Sequence, residues 1–194
     1  MIDRNEPKQS TPAVLWLIFL AVLGILAVLL IWLFRRKQHT EPREPLTVEF
    51  ANVGVTVTVP DQGRRVVVVE RNLPPTIPTS DQDDFHPERM LVNFEVLEAE
   101  RPNLPVTYFN PPLKVQVTYT QAQVEAARKE EQRQFKAPVT GMPILGFWDG
   151  TRWISFKPDK HRLVYTPNYP PDTGGVATVE LERWADPPLG WYPP

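Results

Sequence analysis

The chain has 194 residues, with 23 prolines, no cysteine and a formal net charge of −2 at pH 7. The lack of cysteine excludes a disulfide scaffold, a thiolate zinc site, an iron–sulfur cluster and a cysteine nucleophile. From Leu46 onward 19 acidic residues outnumber 15 basic ones, which argues against a nucleic-acid-binding protein, because such proteins normally carry a basic patch.

An uninterrupted apolar run of 22 residues, residues 13–34, follows an N-terminal tail of residues 1–12. A helix of this length spans roughly 33 Å, which matches the hydrocarbon core of a bilayer. The sequence therefore predicts a transmembrane helix over residues 13–34. Tryptophans and basic residues near its two ends are expected to anchor it at the membrane interface: Trp16, Trp32, Arg35, Arg36 and Lys37.

Residues 35–45 form a basic, proline-containing segment that is expected to be an extended linker. It carries more basic residues than the N-terminal tail, where two basic side chains are partly balanced by two acidic ones. The positive-inside bias therefore places the following domain on the cytoplasmic side of the membrane. An extracytoplasmic domain stays open as the alternative, because the N-terminal amine adds positive charge to the tail.

Residues 46–184 read as a single antiparallel β-sandwich. In residues 53–59 valines alternate with small polar residues, which predicts a half-buried strand. A turn signal at residues 60–63 and a second β-branched run at residues 66–69 predict a hairpin. Seven more short strands are predicted, over residues 90–97, 106–109, 113–119, 144–148, 153–156, 163–165 and 176–181.

Possible metal ligands crowd into one acidic loop, at Asp81, Asp83, Asp84, His86 and Glu88. Hard oxygen ligands at such spacing suit Ca²⁺, but the glycine and the final glutamate of the regular calcium loop are missing. We therefore expect a solvated loop and assign no metal site. Calcium binding by this loop stays open.

One segment breaks the β pattern. Residues 120–123 have the form of a capping box, and residues 121–134 contain strong helix formers with no glycine or proline. The sequence predicts a surface helix over residues 121–134. Because Val124 and Phe135 are its only sizeable apolar residues, it should pack on the sandwich through a narrow face.

The sequence contains no recognisable catalytic motif. It lacks a HExxH pattern, a Gly-x-Ser-x-Gly elbow and a glycine-rich phosphate loop. We therefore expect neither an enzyme nor a cofactor or small-molecule substrate, although catalytic residues from distant loops would escape this reasoning.

Aromatic residues are concentrated in the last quarter of the chain, and most are expected in the core. Trp148 and Trp153 flank Asp149-Gly150, a dipeptide that tolerates the backbone angles of a tight hairpin turn. These two tryptophans are expected to pair across the strands.

The C-terminal aromatics Trp184, Trp191 and Tyr192 are expected at the surface, where they would bind a partner. The prolines of residues 185–194 argue against a central strand and predict an extended tail that runs over a surface.

The segments Phe147–Trp153 and Thr178–Pro188 resemble the aromatic-Asp-Gly-x-x-Trp hairpin and the closing strand of immunoglobulin-like modules. Such modules occur in bacterial single-pass membrane or surface proteins without assigned function. The resemblance implies an immunoglobulin-like β-sandwich and supplies no catalytic or binding residue. The two cysteines of antibody domains are absent.

Together these features favour a non-enzymatic, membrane-anchored interaction protein. We expect an accessory or assembly subunit of a larger membrane protein complex, with the lipid bilayer and a membrane protein as its partners. The alternative is an extracytoplasmic module that binds a glycan or another polymer through the C-terminal aromatics. A hydrolase or metal-dependent enzyme built on the acidic loop is a third reading.

Overall fold

The computed structural model describes Trp16 and residues 21–32, 43–135, 141–185 and 187–192. The chain divides into two compact units, Met1–Pro42 and Arg43–Pro194. In the first unit the described residues are helical (α1) and their side chains are exposed. Within the described part of the chain, no helix has both the length and the apolar character needed to cross a membrane. The other residues of the predicted span, and the anchors at residues 35–37, lie outside the described residues.

The second unit is mainly β, as expected, and its strands pair in antiparallel sheets. Its strands are β1 (Leu46–Phe50), β2 (Val55–Val59), β3 (Val66–Arg71), β4 (Arg89–Met90), β5 (Asn93–Glu98), β6 (Arg101–Pro105), β7 (Tyr108–Thr120), β8 (Ile144–Trp148), β9 (Trp153–Ser155), β10 (Val164–Pro167), β11 (Gly174–Arg183) and β12 (Leu189–Tyr192). The α-helices in its described residues are α2 (Gln121–Phe135) and α3 (Pro158–His161).

These strands form three sheets in the described residues. The largest has the order β1-β2-β7-β11-β10, the second β4-β12-β8-β9 and the third β3-β5-β6. The buried side chains of all three sheets contribute to one hydrophobic core.

The predicted hairpin between residues 53–59 and 66–69 is wrong. Strand β2 pairs with β1 and β7, whereas β3 pairs with β5 in another sheet. A 3-10 turn over Ala51–Val53 reverses the chain before β2, and Gly54 closes it with a φ of 65°. Glycine suits this position because it adopts a positive φ without steric cost. The alternation itself is confirmed, since the valines of β2 are buried.

The centre of the largest sheet is the pair β7 and β11. Two predicted strands, residues 106–109 and 113–119, are largely joined in the 13-residue strand β7, which passes through Pro111 and Pro112. Across the pair, Val115 lies opposite Val179, and both side chains are fully buried. This long pair gives the domain a continuous apolar layer.

The predicted helix is confirmed as α2. The Thr120 hydroxyl oxygen accepts a hydrogen bond from the Gln123 N–H at 3.4 Å, and the Gln123 side-chain oxygen accepts one from the Thr120 N–H at 2.9 Å. This is the reciprocal arrangement of a capping box. Val124 and Ala127 are buried, as a narrow apolar face requires. The side chain of Phe135 lies outside the described part.

In residues 187–192, the tail predicted at residues 185–194 is buried or half-buried and is not a surface segment. Its residues Leu189–Tyr192 form β12, which lies between β4 and β8 in the second sheet. Gly190 pairs with Met90 on one side and with Gly146 on the other. The prediction failed because β12 itself contains no proline, so both of its edges can pair, while Pro187 and Pro188 precede it.

Candidate functional site

An open groove of about 1020 Å³ lies where the start of β7, the end of β8, helix α3 and the end of β11 meet. Four segments that are far apart in sequence therefore build its walls. The side chains that matter below are Tyr108, Trp148, Lys160, His161, Glu182 and Trp184.

One wall is the hairpin of β8 and β9, which was predicted and is confirmed. Trp148 lies opposite Trp153, and their ring centroids are 5.9 Å apart in an edge-to-face arrangement. One carboxylate oxygen of Asp149 accepts hydrogen bonds from the Thr151 hydroxyl at 2.7 Å and from the Thr151 and Arg152 N–H groups at 2.8 and 2.9 Å. These bonds hold the pKa of Asp149 below its usual value, and the bond from the Thr151 hydroxyl has the largest effect. The turn that supports Trp148 is thus fixed by its own side chain.

Helix α3 brings His161 to the groove. The Lys157 N–H donates a hydrogen bond to His161 Nδ1 at 3.0 Å, so in the neutral ring the proton is on Nε2. The rings of Phe156 and Phe147 contact the imidazole edge to face, with centroids 5.3 and 6.1 Å away. Burial lowers the pKa of His161, and the charge of Lys160 lowers it further. The imidazole is therefore a neutral donor near pH 7.

The groove carries charged side chains of both signs. The Arg162 guanidinium donates to a Glu180 carboxylate oxygen at 2.8 Å, which raises the pKa of Arg162 and keeps it charged. Among the described residues, three basic and three acidic ones line the groove: Lys160, Arg162, Arg183, Asp149, Glu180 and Glu182.

Trp184 lines the groove but is not a surface residue. Its side chain is only 3% exposed, its ring stacks on Phe94 at 4.7 Å, and its Nε1–H donates to the Phe94 carbonyl at 3.0 Å. Trp191 is 1% exposed and lies in β12, while Tyr192 is half-buried. The exposure expected of Trp184 and Trp191 is therefore wrong, and their assignment as partner-binding residues loses its basis.

Tyr108 is the exposed aromatic residue that sequence reasoning missed. It opens β7 and is 54% exposed, whereas the next residue, Phe109, is fully buried. Neighbouring residues of a strand point to opposite faces. The alternation at this strand end was the signal that could have placed Tyr108 on the outside.

The acidic loop is packed against the hairpin rather than fully solvated. The Asp83 side chain is buried, and its two carboxylate oxygens accept hydrogen bonds from the Trp153 N–H at 2.6 Å and the Ser80 N–H at 2.8 Å. The Lys157 ammonium lies 3.0 Å from a carboxylate oxygen of Asp84 and lowers its pKa. The other three candidates in this loop are exposed: Asp81, His86 and Glu88.

In the described residues, no three histidine, aspartate or glutamate side chains come together in a way that could hold a metal ion. Comparisons of the chain with family models, with curated proteins and with solved structures found no match. The fold and the groove therefore define only a class: a mainly β domain with an open groove lined by aromatic residues and by charged residues of both signs.

Proposed function

We propose that the chain is a non-enzymatic, membrane-anchored interaction protein, an accessory or assembly subunit of a larger membrane protein complex. Its partner binds in the groove. The observation that carries this proposal is the groove itself, with the exposed Tyr108 and the half-buried Trp148 on its walls. Tyrosine and tryptophan are the residues most often found at the energetic centre of protein interfaces.

The rigidity of the walls supports a binding role. Trp148 adjoins a turn closed by Asp149, and Trp184 is fixed by stacking on Phe94 and by a hydrogen bond to the Phe94 carbonyl. A preformed surface loses little conformational entropy when a partner binds. The rigid walls therefore support the proposal that the groove binds a partner.

The membrane anchor is the second part of the proposal. Residues 13–34 are long and apolar enough in sequence to form a transmembrane helix, with Trp16 and Trp32 at the interfaces. The basic residues 35–37 place the β domain on the cytoplasmic side. We further propose that this domain belongs to the immunoglobulin-like sandwiches, on the basis of the segments Phe147–Trp153 and Thr178–Pro188.

Site-specific crosslinking in native membranes tests the proposal. A photoreactive phenylalanine analogue replaces Tyr108 in the full chain, and a matched control replaces Tyr169, which is 97% exposed and outside the groove. We expect a crosslinked membrane protein, identified by mass spectrometry, from position 108 and not from position 169. Equal products at both positions, or a chain that migrates after gentle solubilisation only as a free species of 22.3 kDa plus detergent, would contradict it.

A further inference from the structure

Strand β3 is an edge strand with one unpaired side. All six of its residues, Val66–Arg71, pair with β5, and no described strand pairs with its other edge. In an antiparallel strand, alternate residues direct their backbone N–H and C=O groups away from the neighbour on one side. The outer edge of β3 therefore presents a row of backbone donors and acceptors that another strand can bind.

The sequence of β3 lacks the features that protect edge strands from pairing. Proteins usually shorten such strands, interrupt them with proline or place a charge among their residues. In the sheets of the described residues, the edge strands β4, β9 and β10 have two, three and four residues, β6 contains Pro102 and Pro105, and β1 contains Glu49. Strand β3 instead begins with four consecutive valines, of which Val67 is 39% exposed. Among these edges, β3 is therefore the one best suited to bind another strand.

The charges at the two ends of the valine run have opposite signs. Arg64 and Arg65 precede the run, and both are exposed. Glu70 follows the run and is exposed, and no basic side chain in the described part of the chain pairs with it. The next residue, Arg71, forms an ion pair with Glu95. A second β3 that runs antiparallel would therefore bring its acidic end against the basic end of the first.

The alignment of two such strands follows from the geometry of an antiparallel sheet. In a symmetric pair the same face of both copies lies on one side of the sheet, so the two-fold axis passes beside one residue rather than between two. An axis at Val67 places Val66 opposite Val68 of the second copy and Arg64 opposite its Glu70. An axis one residue later would place two arginines opposite each other, and an axis one residue earlier would place both preceding arginines opposite valines. The axis at Val67 therefore gives the best match of charge and apolar surface.

We propose that the chain forms a homodimer in which two β3 strands pair antiparallel about Val67 and join the two three-stranded sheets into one. Backbone hydrogen bonds between the strands supply the affinity, and the valines and the two Arg64–Glu70 ion pairs fix the register. Arg64 donates to Glu98 through Nη1 at 2.6 Å, which leaves its other N–H groups for Glu70. These residues are not among those that line the groove, so the inference goes beyond the proposed function and does not depend on it.

Disulfide trapping tests the register, because the chain contains no cysteine. Val67→Cys places two thiols opposite each other on the axis, within the Cα separation that a disulfide needs. Val69→Cys is the matched control on the same strand face, where the two thiols of a dimer would lie four residues apart along the strands, about 14 Å. The full-length variants are oxidised in native membranes with copper phenanthroline. We expect a disulfide-linked species of twice 22.3 kDa from Val67→Cys, in a yield at least about tenfold above that from Val69→Cys.

Charge reversal at the end of the valine run tests the ion pairs. Glu70→Lys places a lysine opposite Arg64 at both ends of the interface and changes only an exposed side chain. Glu49→Lys, at an exposed position of the edge strand β1, is the matched control. Sedimentation equilibrium of the full chain in density-matched detergent should show a dimer whose Kd rises about tenfold in Glu70→Lys and is unchanged in Glu49→Lys.

Four results would overturn the inference. These are a chain that sediments only as a monomer, equal trapping at positions 67 and 69, a Kd that both charge reversals change equally, and a protein of another sequence trapped at position 67 in place of a second copy. Equal trapping would indicate random collision or association through the predicted span. The crosslink from position 108 to a membrane protein does not involve β3, so the proposed function stands or fails separately.

Discussion

Asp83 joins two distant parts of the domain with one carboxylate. Its side chain is buried, with one oxygen on the Trp153 N–H and the other on the Ser80 N–H. The Trp153 indole N–H also donates to the Pro78 carbonyl at 2.8 Å, so both the backbone and the side chain of Trp153 are hydrogen-bonded to residues 78–83. The acidic loop therefore positions the hairpin that forms one wall of the groove.

Replacing Asp83 with asparagine should lower the free energy of unfolding by about 1–3 kcal/mol, because one of the two N–H groups bonded to this buried side chain then faces an amide NH₂ instead of an acceptor. Urea unfolding of the full chain, followed by tryptophan fluorescence, measures the change. Asp81→Asn, at an exposed position of the same loop, should stay within about 0.5 kcal/mol of the unchanged chain. Equal effects of the two substitutions would refute the role given to Asp83.

His161 couples the groove to pH. Burial and the charge of Lys160 lower its pKa below the ordinary 6.5, and its neutral Nδ1 accepts the Lys157 N–H. Protonation of the ring removes this acceptor. Between the lowered pKa and 6.5 the unfolded chain binds more protons at this site than the folded chain does.

The free energy of unfolding should therefore fall as pH drops below about 6.5, and the contribution of His161 is fully present only above that value. Asp84 and Asp149, whose pKa values are lowered, stay charged between pH 7.5 and 5. Urea unfolding over this range should show a stability advantage of the unchanged chain over His161→Gln that shrinks with falling pH. A constant difference across the range would contradict the assignment.

Strand β12 is the element whose role differs most from expectation. Leu189 and Trp191 are fully buried, and the Trp191 ring lies 6.4 Å from that of Tyr119, centroid to centroid, in an edge-to-face arrangement. Gly190 lies so close to Trp153 and Pro87 that a Cβ would approach both to less than 3 Å. Strand β12 is thus held by the packing of its side chains and by backbone pairing along both of its edges.

Trp191→Ala should reduce the free energy of unfolding by about 3–5 kcal/mol, because it leaves a large cavity in the core. Tyr169→Ala removes a 97% exposed ring and should change it by less than about 0.5 kcal/mol. Thermal denaturation followed by near-UV circular dichroism compares the two variants. Trp191→Phe, which keeps a ring, should have a stability between those of the two alanine variants. A Trp191→Ala variant as stable as Tyr169→Ala would contradict the assignment of Trp191 to the core.

The elements that sequence reasoning found correctly depend on local signals. The capping box at Thr120 and Gln123 and the turn dipeptide at Asp149-Gly150 act within four residues, and both are present as expected. Strand β1 also alternates apolar and polar residues, over five residues as in β2, and was missed. The pairing of β2 with β7 could not be predicted from the sequence, because packing between distant segments decides it.

At the scale of the whole molecule, the groove could not be read from the sequence. Its walls come from residues 107–112, 147–150, 160–162, 180–185 and 187–188, which no spacing rule connects. The hairpin that carries Trp148 and the strands over residues 106–109 and 176–181 were predicted, but their meeting at one groove was not. Trp184 was expected at the surface, whereas its stacking on Phe94 makes it part of the core.

The topology of the chain is testable because it contains no cysteine. Tyr169→Cys adds a single thiol at a position that is 97% exposed in the second unit. If the domain is cytoplasmic, a membrane-impermeant maleimide should label this thiol only after the membrane is opened. Ser10→Cys, in the tail before the predicted span, should be labelled in intact cells, and the reverse pattern would place the domain outside.

The position of β12 affects how the domain can fold while the chain is being made. It is the last of the described strands to leave the ribosome, yet it separates β4 from β8 in its sheet. Until residues 189–192 emerge, those two strands lack their shared neighbour, and at about 5–20 residues per second the wait after Trp148 lasts seconds. Unpaired strand edges invite association with other chains. Growing chains of this protein are therefore expected to be most prone to association through β4 and β8 during that interval.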